Sequence, residues 1–313
     1  MASVPARVTV ATVVSAAVVA VAVWIGDPHV GHGFSRADGS TFSVQSPSAD
    51  APRRIVSLVP ATTEMLFAMG AGNRVAGVSS YDRYPKDVER LPRLGGLIDP
   101  NVERLLALKP DLVVVYATQA ELKRQLETAG IPTFSYVHRG LADVGGTIRA
   151  LGARIGLDAQ ANALADRLDR ELGAIRTRVA GRPQPKTLLV FGREPGSLRR
   201  IDASGGYGFL HDMLESAGGA DALADIVRES VQMSAEMVLA RAPDAIVELR
   251  YGDSDKAPGI ESVRSAWRAL PAVPAVKTGR VYLLVGDEFV VPGPRVAEAV
   301  RRLAATLHPE AFK

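Results

Sequence analysis

Residues 101–115 read NVERLLALKPDLVVV, and residues 234–248 read SAEMVLARAPDAIVE. Aligned on their Pro-Asp pairs, they match Glu103 with Glu236, Leu106-Ala107 with Leu239-Ala240, and Pro110-Asp111 with Pro243-Asp244. In each copy a helical segment leads to a proline that stops it, Asp opens the turn, and a buried apolar strand follows. A helix–turn–strand unit written twice predicts two lobes of like α/β construction.

The flanking sequence extends both copies. Upstream of the first, RIVSLVPATTEMLFAMG predicts a strand over Ile55–Val59, stopped by Pro60. Thr62 or Thr63 then caps a helix from Glu64 to Met69. RVAGVSS, DLVVVY and IPTFSY read as further strands, with ELKRQLETAG as an amphipathic helix ending at Gly130. This alternation predicts a largely parallel sheet covered by helices. Over residues 141–180 no strand is predicted. LADVGGTIRALGARIG is one helical segment; the next places Ala161, Leu164, Leu168, Leu172, Ile175 and Val179 on one face. GRPQPK ends it. Strands KTLLVFG, DAIVEL and RVYLLV then alternate with helices YGFLHDMLESAGG, SAEMVLARAP and RVAEAVRRLAATLH. The expected fold is therefore two doubly wound-like α/β lobes, residues 53–140 and 182–313, joined by a helical segment over 141–181.

Composition narrows the function. The 313 residues carry 37 basic and 34 acidic side chains, for a net charge of +3, and no long basic run suggests nucleic acid. There is no cysteine, which excludes disulfides, thiolate metal sites, a cysteine nucleophile and a lipid-modified cysteine. From this the protein is expected not to be a lipoprotein. Arg7 precedes an uncharged apolar run from Val8 to Ile25, with Ala20-Val21-Ala22 as a small-x-small site. Residues 1–25 are read as a secretory signal or a retained membrane anchor. Residues 26–52, rich in Gly, Ser, Asp and Pro, are read as a disordered linker in which His29 and His32 are incidental.

The segments RIVSLVPATTEMLFAMGAG, GVSSYDRYP, LPRLGG, the two repeat copies and PGPR, in this order, resemble one family. It is the helical-backbone substrate-binding proteins of ABC importers for iron–siderophore, haem and vitamin B12, and the likeness runs over about residues 53–309. The resemblance implies two lobes bridged by one long helix, a ligand held between them, and export to a periplasmic or extracytoplasmic location. It also implies docking of the protein, as a monomer, on a permease dimer, with one acidic residue per lobe meeting basic residues of the two identical subunits. Glu103 and Glu236 match those positions, although a Glu in the first turn of a helix also suits the helix dipole without any partner.

Ligand contacts are expected from loops at the carboxyl ends of the strands: Pro60, Thr62, Tyr81, Tyr116, Arg193, Arg250, Tyr251 and Phe289; the resemblance adds Leu97. Tyr81 and Tyr116 match aromatic positions that vitamin B12 binders present to the corrinoid, and flat aromatics cover a large ring face at low entropic cost. Leu97 and Tyr116 stand where the B12-binding member has tryptophans, whereas Arg193 and Arg250 suit the anionic groups of a ferric siderophore or haem. A corrinoid is the first expectation, with siderophore or haem as the alternative. No resident cofactor or metal is expected. An enzyme is the rival class, but GxxxxGK[ST], HExxH and GxSxG are missing, and His138 and His211 show no evident acidic partner in the sequence.

Overall fold

Each copy of the repeated unit folds as its own pattern dictates. In this computed structural model, which describes residues 51–137, 140–252 and 259–313, the first copy is helix α2 (Val102–Ala107) followed by strand β3 (Leu112–Tyr116). The second is α7 (Ala235–Arg241) followed by β9 (Ala245–Arg250). Asn101 caps α2 by accepting from the Arg104 N–H at 2.9 Å, and Ser234 caps α7 by accepting from the Met237 N–H at 3.3 Å.

The Pro-Asp pairs have a shared purpose. Proline disfavours the right-handed helical region for the residue before it, and both preceding residues are left-handed: Lys109 at φ 48° and Ala242 at φ 45°. The aspartate then clamps the start of the neighbouring strand. Asp111 accepts from the Arg53 and Arg54 N–H groups at 2.7 and 2.9 Å, just before β1 (Ile55–Ser57). Asp244 accepts from the N–H of Lys186 at 3.1 Å, the first residue of β5 (Lys186–Gly192). Both Arg53–Asp111 and Lys186–Asp244 span 58 residues, so the repetition reaches well beyond the quoted stretch. Because a Cβ is unfavourable in left-handed backbone, Ala242→Gly should raise stability by up to about 1 kcal/mol, measured by urea denaturation.

The N-terminal sheet has the order β2-β1-β3-β4, all parallel, with β2 at Val75–Val78 and β4 at Thr133–Tyr136. Its helices are α1 (Pro60–Ala68), α2 and α3 (Ala120–Thr128). Pro60 was expected to stop a strand; it occupies the first turn of α1, where its missing N–H costs nothing. Thr62 and Thr63 accordingly do not cap. Both are buried and bond to Ser57 and to the Val59 carbonyl.

The C-terminal sheet is mixed. Strands β10 (Val281–Val285), β9 and β5 are parallel, and β6 (Ile201–Ser204) and β8 (Ser230–Met233) continue it antiparallel. A two-residue strand β7 (Ala220–Asp221) pairs with the start of β5. The lobe's helices are α6 (Phe209–Ser216), α7, α8 (Ile260–Trp267), α9 (Pro274–Lys277) and α10 (Val296–Leu307).

Two helices connect the sheets, α4 (Asp143–Ile155) and α5 (Asp158–Val179), separated at Gly156, whose φ is 70°. They pack so closely that a Cβ on Gly152 would overlap that of Ala161. The predicted stripe from Ala161 to Val179 is buried in full. It belongs to one continuous core that includes Val114 of the first sheet, Val247 of the second, and residues of α1, α4, α6 and α10. Each sheet has a second, separate core on its outer face. The expected signal or anchor (1–25) and nearly all of the expected linker lie outside the described residues, as does His138.

Candidate functional site

All strands of the first sheet are parallel, so their carboxyl ends share one edge. The loops there carry Pro60, Ser79 to Tyr84, and Tyr116. In the second sheet the ends of β5, β9 and β10 place Arg193, Arg250-Tyr251 and Asp287 to Phe289 together. The two edges face one another, and side-chain contacts cross between them. Glu64 of α1 receives two hydrogen bonds from Arg295 of the opposite lobe, at 2.5 and 2.9 Å. The Arg295 guanidinium also lies 4.1 Å above the Tyr84 ring and 3.2 Å from Glu288. Burial pushes the Glu64 carboxyl above its ordinary pKa, and the bonds from Arg295 oppose that shift.

On the N-terminal side Tyr81 leaves 54% of its surface exposed. Its ring lies against Gly96, where a Cβ would run into it. Tyr116 is half-buried and meets Tyr136 edge-on, with centroids 5.8 Å apart. Burial, with the Asp82 charge as a second cause, pushes the Tyr116 hydroxyl up to about 12, so it is a neutral hydrogen-bonding group at any physiological pH. Gln119 braces this region. Its side chain accepts from the Tyr116 N–H at 3.0 Å and donates to the Leu97 carbonyl at 2.9 Å. Nothing in the local sequence marks Gln119 as a brace, because its bond to Leu97 spans 22 residues.

Asp82 is another unforeseen residue. It is buried, and its Oδ2 accepts from the Ser79 N–H at 2.9 Å and the Ser79 hydroxyl at 2.6 Å. Its Oδ1 is buried without a hydrogen-bond partner among the described residues. Burial raises its pKa to about 6 against the opposing bonds from Ser79.

Three expected contacts are placed elsewhere. Thr62 is wholly buried on the inner face of α1, and Phe289 is wholly buried under the Arg302 guanidinium, so neither offers surface to a ligand in this conformation. Arg193, with 3% of its side chain exposed, bonds Glu248 at 2.6 Å and the carbonyls of Glu194 and Ser197. Glu248 is fully buried on β9 and also receives Arg250 at 2.7 Å and the Trp267 indole N–H at 2.6 Å. Two guanidinium groups and an indole thus converge on one carboxylate, and Arg193 is an interior ion-pair residue. The only sequence signal for this was a Glu inside the apolar strand AIVELR. Arg250, Tyr251, Pro60 and Leu97 stay partly accessible at the crevice edges. His211 proves to have an acidic partner, Asp221 at 2.9 Å, which also accepts from the Leu223 N–H and so ties α6 to β7.

Glu103 and Glu236 are both exposed in the first turns of α2 and α7, and neither forms an ion pair among the described residues. A helix leading back into a parallel strand begins near the edge where the strands end. Both carboxylates therefore belong to the crevice side of their lobes. The Glu236 pKa is lowered by hydrogen bonds from Ser234 and from its own backbone N–H.

Residues 55–287 match a family described as periplasmic binding protein. An uncharacterized ABC transporter substrate-binding lipoprotein, YvrC of Bacillus subtilis, is 32% identical over 269 residues, covering 84% of this chain and 82% of the relative. The vitamin B12-binding protein of Salmonella typhimurium is 32% identical over 256 residues, 81% of this chain and 90% of the relative. Among solved structures, the apo form of the periplasmic heme-binding protein RhuT from Roseiflexus superposes with a TM-score of 0.71 at 28% identity. That match covers 83% of this chain and 99% of RhuT. The Bacillus relative, described as a lipoprotein, overturns the expectation that the protein is not one. A periplasmic or extracytoplasmic location fits the family.

Proposed function

Because the chain belongs to the periplasmic binding protein family, as a substrate-binding protein of an ABC transporter of the B12, haem or iron–siderophore type, we propose that it captures a corrinoid between its lobes. It delivers this ligand unchanged to a permease dimer and its ATPase. The relatives that share its sequence are transport proteins, and the chain is read as a monomeric carrier with no resident cofactor. The observation that carries the ligand assignment is Tyr81, an exposed aromatic face lying against Gly96, with Leu97 the next residue and Tyr116 tied to Leu97 through Gln119. Large flat rings gain most from such a surface. The convergence of Arg193 and Arg250 on Glu248 supports the same reading. It draws both cations away from a ligand's carboxylates, as a chelate rich in neutral amides would tolerate. A ferric siderophore or haem is the second reading, favoured by the part of Arg250 that remains accessible.

Tyr81→Ala should weaken corrinoid binding about five- to a hundredfold, the worth of roughly 1–3 kcal/mol for one aromatic contact. Titration calorimetry with cobalamin, haemin and a ferric siderophore decides the assignment. Tight binding of haemin or the siderophore with no heat from cobalamin would replace the first reading with the second.

A further inference from the structure

The loop after β2 is built around one carboxylate. Tyr81 offers its ring there, and the Tyr84 ring lies under the Arg295 guanidinium of the other lobe. Between them in the chain, Asp82 turns inward and is 2% exposed. Its Oδ2 accepts from the Ser79 hydroxyl at 2.6 Å, and that same hydroxyl oxygen accepts from the Tyr81 N–H at 3.2 Å. Carboxylate, hydroxyl and tyrosine amide thus form one chain of acceptors and donors. The hydroxyl has a single proton, so an ionised Asp82 fixes its rotor and leaves its lone pairs to Tyr81. Arg93 donates to the carbonyls of Ser79 and Asp82 at 3.1 and 2.6 Å, and the Ser80 N–H donates to the Gly95 carbonyl at 2.7 Å. For stability alone this carboxylate is a poor choice. Its Oδ1 is buried without a hydrogen-bond partner among the described residues, and burial pushes its pKa up from an ordinary 3.8 to about 6. The stability that Asp82 contributes is therefore full below the unfolded-state value and is lost as pH rises through about 6. At neutral pH the fold holds a buried charge that a neutral side chain of the same shape would avoid.

We propose that Asp82 is a positioning residue for ligand binding: through the Ser79 hydroxyl, its ionised carboxylate holds Tyr81 in the orientation that meets the ligand. The proposal rests on the reading of Tyr81 as the ligand's aromatic contact. The cost in stability separates this role from a purely structural one, because a residue kept for the fold alone would not be one whose neutral isostere strengthens the fold. Protonation of Asp82 weakens the acceptor of the Ser79 hydroxyl, so Tyr81 loses its fixed place and affinity falls as pH falls through about 6. The charged and titratable neighbours are Arg93, Glu64 on α1 and Tyr116 on β3. Arg93 favours the ionised form, the Glu64 and Asp82 carboxylates oppose each other's ionisation, and Tyr116 stays neutral across this range.

In the wild type, cobalamin affinity read by titration calorimetry should be about fivefold weaker at about pH 5 than at about pH 7.5, the difference between a charged and a neutral hydrogen bond. Asp82→Asn should show the weaker affinity at both, yet its Tm should exceed that of the wild type at about pH 7.5 and converge with it at about pH 5. Ser79→Ala, which keeps the carboxylate and removes the hydroxyl between it and Tyr81, should lose the same affinity at about pH 7.5 with a lower Tm. Wild-type affinity in Asp82→Asn, or a wild-type pH profile of binding whatever its Tm, would overturn the proposal. A fall of Tm together with affinity at about pH 7.5 would make Asp82 a support of the fold, and overturns it too. If the wild type gives no heat with cobalamin at any pH, the corrinoid reading fails, and amide hydrogen exchange over residues 79–84, corrected for the intrinsic rate, decides the positioning by itself. Protection that drops on acidification in the wild type and is low throughout in Asp82→Asn upholds it; equal protection in both proteins at every pH overturns it.

Discussion

Glu103→Arg combined with Glu236→Arg should abolish ligand uptake while ligand affinity stays within about twofold of wild type. Both carboxylates are exposed, lie in the first turns of equivalent helices, and have no ion-pair partner among the described residues. Their removal therefore leaves no buried charge behind in the lobe. The pseudo-symmetry of the repeat places one on each lobe, which suits a two-fold symmetric permease and has no bearing on an asymmetric chelate. Reversing the charge sets cation against cation at two places in the complex, where like charges cost several kcal/mol. Uptake into reconstituted vesicles and calorimetric ligand binding, measured on the same preparations, separate the two roles. Loss of ligand affinity with permease association retained would return these glutamates to the crevice.

Glu248→Ala should destabilise the protein by about 3–5 kcal/mol, because it leaves a buried guanidinium without its counter-charge. Arg193 is almost wholly enclosed, and the Trp267 indole loses its acceptor at the same stroke. For a domain of this size the fall in Tm should be on the order of 10 °C. Differential scanning calorimetry reads it directly. The loss should be largely recovered when Arg193→Met accompanies Glu248→Leu, since an apolar pair of similar volume has no desolvation to offset. If Glu248→Ala melts with the wild type, the carboxylate is not the hub of this network.

Pattern with a short period was legible in the sequence, and pairing over long separations was not. The Pro-Asp landmarks located α2, β3, α7 and β9, and the stripe from Ala161 to Val179 located α5, because each depends on residues a few positions apart. The strands β6 (IDAS) and β8 (SVQM) were missed. They are short and half polar, and they gain stability by extending a sheet edge rather than from their own apolar pattern. Pro60 was misread because a proline can close a strand or open a helix, and only the chain direction beyond it decides. The site divides in the same way. Tyr81 and Tyr116 were singled out from their positions at strand ends, and Leu97 from the family resemblance. The Glu248 cluster joins residues 55 apart along the chain, the bridge from Glu64 to Arg295 joins residues 231 apart, and neither leaves a local trace. Asp82 was passed over because an aspartate between two tyrosines in a loop looks solvated, yet its side chain turns inward to Ser79.

Helix α5 runs for 22 residues, about 33 Å at the usual rise, and its buried face belongs to the one core shared by both sheets. It is therefore a ruler as well as a connection. The spacing of α2 and α7 is set when the chain folds, before any transporter is met. On the docking reading, the carrier is a bivalent ligand on a stiff spacer. Once one lobe has engaged its subunit, the other is held at a high effective concentration over the second, without the entropy cost of a flexible linker. Two individually weak contacts then act as one strong one, and losing either forfeits the enhancement that both share. The same stiffness makes the spacing intolerant, so a permease with its pockets set differently would be met by one lobe at a time and held only weakly.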